Sequence, residues 1–298
     1  MKIQEVSPRQ VLKQVAAAVP QEVKENIIIV GSLAAAYWLF KDESDYAVRT
    51  KDIDCVLSPF IHAVESGKTV AENLIANGWM PKTEGDFAKP GNAKTKTDQL
   101  PAVRLYPPGL HAWFLELLAE PKTNSQNGLK WTRLKLTSGE HYGLPSFPFI
   151  KVAIFNAGKS DFGLRCALPE MMMLANLLEH TRIKPDLTSD KKTKRSNKDL
   201  GRVLAIARLT PSRLWEPWPQ VWSDCLQQCF PNRWHELVST LGDGLREMLN
   251  SPSDLRQAVE NCTTGLLSGR NISAEQLKET GERLIVFVVE EVQQVLKQ

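Results

Sequence analysis

Two carboxylates one residue apart, Asp52 and Asp54 in Lys51-Asp52-Ile53-Asp54-Cys55-Val56-Leu57, carry the most pointed chemistry in this chain. The β-prone run that they open predicts a strand, and residues two apart on a strand project from one face. Asp52 and Asp54 then stand side by side, while Ile53 and Cys55 turn into the core. Neighbouring carboxylates repel unless a cation lies between them, and hard oxygen donors suit Mg²⁺. Upstream, Asn26-Ile27-Ile28-Ile29-Val30 predicts another strand, which runs into a Gly31-Ser32 turn and a helix over 33–39. A small-residue turn beside paired acids is what metal-assisted phosphoryl or nucleotidyl transfer requires. An Asp-x-Asp triplet on a solvated loop has no such role, so the flanking elements decide.

A third acid lies further on. Ala112-Trp113-Phe114-Leu115-Glu116-Leu117-Leu118 predicts a strand, after an alternating strand over 102–106 and a Pro107-Pro108-Gly109 turn. A buried ionised group without a partner is costly, so Glu116 needs a reason. A metal shared with Asp52 and Asp54 is the favoured one. An exposed face, or an ion pair with a strand neighbour, is the alternative. Glu120 is a second candidate, but it abuts Pro121 at the strand end.

Gly-Ser, a helix, then Asp-x-Asp on a strand resembles the nucleotidyltransferase superfamily, the polymerase-β-like fold. The wording Arg49-Thr50-Lys51-Asp52-Ile53-Asp54 is similar to the abortive-infection nucleotidyltransferase toxins of AbiEii type. The resemblance implies that Gly31 and Ser32 contact a nucleoside triphosphate and that Asp52 and Asp54 bind Mg²⁺. It also implies a third acid on a later strand, here Glu116, and a cognate antitoxin as partner. The spacing from Ser32 to Asp52 is long for the family, and the polar stretch 41–45 absorbs the excess as a loop. In the second half, the helix at 168–182 and the segment Lys198-Asp199-Leu200-Gly201-Arg202 are partial matches. Asn176 stands where the family often has Lys, and Arg202 where it often has a second Asp. Lys198 or Arg182 then takes the nucleotide-phosphate role.

Length and composition bound this reading. The chain has 298 residues, 42% of them hydrophobic and 24% charged, enough for a substantial core in one large or two ordinary domains. A net charge of +3 permits a nucleic-acid partner without requiring one. Five scattered cysteines imply no disulfide framework and point to a reducing cytoplasm. Cys225 and Cys229, four apart, predict one buried helix face, with a zinc site as the weaker option. There is no apolar signal core at the N-terminus and no stretch of about 20 apolar residues to span a membrane.

Helices are expected at 7–19, capped by Ser7, and at 61–77, stopped by Gly78. Residues 83–98 read as a loop, 123–143 as a hairpin and 150–154 as a last short strand. From 168 onward the pattern is helical, including one long terminal helix from about Ser273 that absorbs the apolar run 285–289. The expected class is α+β: a mixed nucleotidyltransferase-like sheet with flanking helices over 1–165, then a helical domain over 166–298.

Between Arg182 and Arg202 stand eight basic residues against three acids, a local balance of +5. Such a run is either a solvated loop or a platform for phosphates, the latter suiting an RNA acceptor such as a tRNA end. Trp215, Trp218, Trp222 and Trp234 fit a core-facing helix stripe better than base stacking. The expected activity is therefore Mg²⁺-dependent transfer of a nucleotide from an NTP, with RNA as acceptor. Transfer to a small molecule or protein, or non-catalytic binding of nucleotide or partner, are the alternatives.

Overall fold

The computed structural model describes residues 5–40, 48–84, 89–109, 112–122, 130–188 and 192–297. The proposed linker at 41–45, part of the loop at 83–98, the start of the hairpin at 123–129 and Lys191 fall outside these. The chain divides into two compact units, one of residues 1–37 and 41–167, the other of 38–40 and 168–298.

The first unit is built on a mixed sheet. Its elements are β1 (Glu5–Val6), α1 (Pro8–Ala18), β2 (Ile27–Val30), α2 (Gly31–Leu39), β3 (Val48–Arg49), β4 (Asp52–Leu57), α3 (Phe60–Ala76), β5 (Met80–Pro81), β6 (Arg104–Tyr106), β7 (Phe114–Ala119), β8 (Lys130–Lys135), β9 (His141–Ser146), α4 (Ile150–Ala153), β10 (Gly158–Lys159) and β11 (Arg165–Cys166). Among the described residues, seven strands form the main sheet in the order β10-β11-β2-β4-β7-β6-β5. β4 runs antiparallel to β2 and parallel to β7, and β6 runs antiparallel to β7. β8 and β9 pair as a hairpin, but β9 runs past the expected end at 143 through Pro145 and Ser146.

The central strands are apolar because both faces are covered. Ile27, Ile29, Ile53, Val56, Leu57, Leu115 and Leu117 are all fully buried. Ser7 caps α1, accepting from the Gln10 amide, and α1 buries Val11, Leu12 and Val15. α3 ends at Asn77, and Gly78 turns the chain at φ +84°. One expectation fails: residues 150–154 do not form a strand, since Ile150–Ala153 make the short helix α4. Val152 and Ala153 bond back to Phe149, directly after Pro148. A five-residue apolar run carries no periodicity that separates strand from helix turn.

The second unit is helical: α5 (Pro169–Glu179), α6 (Arg195–Leu209), α7 (Trp218–Cys229), α8 (Trp234–Ser239), α9 (Asp243–Asn250), α10 (Pro252–Thr264), α11 (Ala274–Leu284) and α12 (Glu290–Gln294). A π-helical turn at Ile285–Val289 joins α11 to α12, so the apolar run continues a helix begun by a Ser273–Gln276 capping box. Trp215, Trp218 and Trp222 are buried and stack in succession at 5.7 and 6.3 Å. These three belong to the core, as expected, while Trp234 is half-buried on α8 and stands outside the stack. Cys225 is likewise buried on the α7 face, 3.9 Å from Cys229.

Candidate active site

The main sheet converts sequence spacing into one row of side chains. β2 pairs with β4 so that Val30 faces Asp54, and β4 pairs with β7 so that Asp54 faces Glu116. β7 pairs with β6 so that Glu116 faces Arg104. Directly opposed residues share a face of a sheet. Asp54, Glu116 and Arg104 therefore stand in line across three strands, and Asp52 joins them two residues before Asp54. Ile53 and Cys55 point the other way and are buried, as expected.

At one end of the row, Gly31 follows β2 directly and begins α2 at φ +79°. A left-handed backbone at a strand-to-helix junction suits glycine, which has no Cβ to clash. Space is tight as well: a Cβ on Gly31 would lie 3.0 Å from Asp54 Oδ2 and push that carboxylate aside. Asp54 is thus laid across the bare backbone of the turn. Ser32, half-buried, is the next residue of the helix. Helix N-termini present unpaired N–H groups that favour anions.

Asp52 is exposed at the start of β4. The buried Thr50 hydroxyl donates to the Asp52 carbonyl at 3.0 Å and to Oδ1 at 3.3 Å, which limits the side chain's freedom. Glu116 is buried, with its side chain 12% exposed. Burial pushes its carboxyl above the usual range, Arg104 pulls it back, and the Asp52 charge raises it again.

Arg104 is the residue that sequence reasoning missed. Its Nε donates to Glu116 Oε2 at 2.8 Å and its Nη2 to Oε1 at 3.3 Å, a two-point pair. Desolvation works against its charge, but Glu116, Asp52 and Asp54 together raise its pKa. Its guanidinium also lies 5.8 Å from the Phe114 ring. The ion pair with a strand neighbour, the alternative weighed for Glu116, is what the structure contains. An arginine in a short alternating strand, one tight turn before an acid-bearing strand, was the available signal.

Among the described residues, no group of three His, Cys, Asp or Glu side chains converges to hold a metal. Asp52 and Asp54 still fit Mg²⁺, which is commonly held by one or two carboxylates together with substrate phosphates. Glu120 is excluded from the row. It lies past the far end of β7, bonded by Ser58 Oγ at 2.7 Å and 3.9 Å from Lys151.

Arg182 and Lys198 belong to the second unit, the first after α5 and the second in the opening turn of α6, where Lys198 is exposed. Neighbouring basic residues are engaged locally. Lys194 bonds Asp254 at 2.7 Å, Arg202 lies 3.5 Å from Asp199, and Lys184 donates to the Glu179 carbonyl at 3.2 Å. Part of the local positive balance is thus neutralised within the unit. A comparison with protein-family models finds none that matches, and a comparison with curated proteins finds no match.

Proposed function

We propose that the first unit is a Mg²⁺-dependent nucleotidyltransferase that moves a nucleotide from an NTP to an acceptor hydroxyl. The observation that carries this reading is the row Asp54–Glu116–Arg104, with Asp52 beside it, starting at the Gly31 turn. The Gly31 backbone and the first turn of α2 receive phosphate oxygens, and the Ser32 hydroxyl donates to one of them. Asp52 and Asp54 hold the metal. Bound Mg²⁺ supplies charge neutralisation on the phosphates and makes the acceptor hydroxyl more acidic. The acceptor oxygen bonds to the α-phosphorus, the bond to the bridging oxygen breaks, and pyrophosphate leaves with that electron pair. The acceptor proton passes to solvent at the exposed Asp52 end of the row. Catalysis here is positioning and electrostatics, with no histidine required.

The acceptor we infer is RNA, such as a tRNA end, and the physiological setting a toxin restrained by an antitoxin. Exposed Arg195 and Lys198 support a phosphate-binding role for the second unit. A second reading, non-catalytic nucleotide binding, is favoured by one observation: Glu116 is already paired to Arg104. Incubation with α-phosphate-labelled NTPs, Mg²⁺ and total RNA separates the two. Label in the RNA that disappears with a chelator is the expected result. Nucleotide binding without any labelled product, across all four NTPs, supports the second reading instead.

A further inference from the structure

We propose that Arg104 is the permanent second cation of this site: it claims Glu116, leaves the metal to Asp52 and Asp54 alone, and turns its remaining donors to the triphosphate. This rests on the nucleotidyltransferase reading and specifies how that site divides its charges.

Three observations carry it. The Arg104–Glu116 pair is written into the sheet register, because the two residues face each other directly across β6 and β7. No loop movement is needed to form it, because the register already sets the two residues opposite each other. Next, the pair is asymmetric in exposure. The Glu116 side chain is 12% exposed and that of Arg104 is 42% exposed. A metal recruiting Glu116 would have to dislodge the guanidinium from a buried carboxylate, whereas Arg104 has an open side. Two of its N–H groups serve Glu116. Three of the five that a guanidinium carries then remain for an acceptor. Last, the charges of Asp52 and Asp54 act on Arg104 as well as that of Glu116. The guanidinium therefore sits within the same field as the metal-holding pair. A planar, always-charged fork suits the oxygens of a polyphosphate better than an ammonium would.

The consequence is a division of labour. Asp52 and Asp54 determine metal affinity, while Arg104 determines triphosphate affinity. Glu116 orients Arg104 and is a positioning residue rather than a metal ligand.

The test titrates Mn²⁺ alone, followed by its electron spin resonance, and then a non-hydrolysable NTP analogue at saturating Mn²⁺. The variants are Arg104→Gln, Arg104→Gln/Glu116→Gln, Arg104→Lys and Asp54→Asn. The double variant removes both charges at once, so the net charge is kept and two neutral amides face each other. Thermal melting confirms that each is folded. The double variant should bind Mn²⁺ within about threefold of wild type, and Asp54→Asn should lose on the order of tenfold or more. Arg104→Gln should weaken the analogue by about tenfold or more, with only partial recovery in Arg104→Lys. A loss of Mn²⁺ affinity in the double variant as large as in Asp54→Asn makes Glu116 a metal ligand and overturns the inference alone. Unchanged analogue binding in Arg104→Gln overturns it too. Failure of the wild-type protein to bind the analogue even at saturating Mn²⁺ overturns both this inference and the nucleotidyltransferase reading.

Discussion

Gly31 shows how much one residue can determine. Its φ of +79° strains any residue with a Cβ, and a Cβ there would crowd Asp54 Oδ2 at 3.0 Å. Gly31→Ala should cost about 1–2 kcal/mol through backbone strain alone. It should also displace Asp54, so that activity falls more than melting temperature does. The Arg104–Glu116 pair yields a prediction with a pH signature. Burial raises the Glu116 carboxyl and Arg104 opposes that rise. A carboxyl raised on folding contributes stability that is complete below its unfolded value and is lost as pH rises through the folded value. Without Arg104 the folded value climbs further. Arg104→Gln should therefore lower the melting temperature more at about pH 7 than in acid, where less of Glu116 is ionised. A uniform decrease across pH contradicts this. The shared face of Asp52 and Asp54 was legible because strand period alone orients them, whereas the place of Glu116 opposite Asp54 depends on how β4 and β7 pair. Arg104 was not legible, because its role depends on which residue it opposes in the next strand.

At the scale of elements, legibility followed length. α1, α3, α5 and α6 have enough turns to display a stripe, and Ser7 and Ser273 mark helix starts with side-chain oxygens that accept from the backbone. Two-residue strands such as β10 and β11 exist only through their pairing, and no local pattern announces them. The tryptophan spacing of three and four signalled burial, since Trp215, Trp218 and Trp222 stack in the core of the second unit, but only Trp218 and Trp222 share α7 and Trp234 lies apart on α8. Trp222→Ala should cost about 3–5 kcal/mol by chemical denaturation, since Trp222 is fully buried. α6 is tied to α10 by a polar cluster. Asp254 accepts from Lys194 at 2.7 Å, Asn197 at 2.8 Å and Ser251 at 2.7 Å. Burial pushes the Asp254 carboxyl up, but these donors outweigh it and hold it below the usual range. Stability from such a group is present above the ordinary aspartate value and is lost as pH falls through the lowered one. Asp254→Asn should cost about 1–3 kcal/mol at neutral pH, with the difference from wild type shrinking in acid.

Over the whole molecule, the sequence made a mixed α/β class legible, with an N-terminal sheet and a C-terminal helical part. The two units and the mixed seven-stranded sheet have that character. Among the described residues, no helix is long and apolar enough to cross a membrane. The basic segment was visible as a count of charges, but not its partition. Lys194 and Arg202 are spent on Asp254 and Asp199, while Arg182, Lys192, Arg195 and Lys198 are exposed. If RNA binds there, Arg195→Glu/Lys198→Glu should weaken RNA binding and flatten its salt dependence by about one logarithmic unit per lost phosphate contact. An unchanged salt slope removes this segment from the RNA interface. Transfer of α-phosphate-labelled nucleotide to RNA by wild type and by Asp54→Asn, at equal protein and Mg²⁺ concentrations, tests the central claim most directly. Labelling by wild type and a loss on the order of 100-fold in the variant is the expected result. Equal labelling by the two proteins, or none by the wild type, contradicts it.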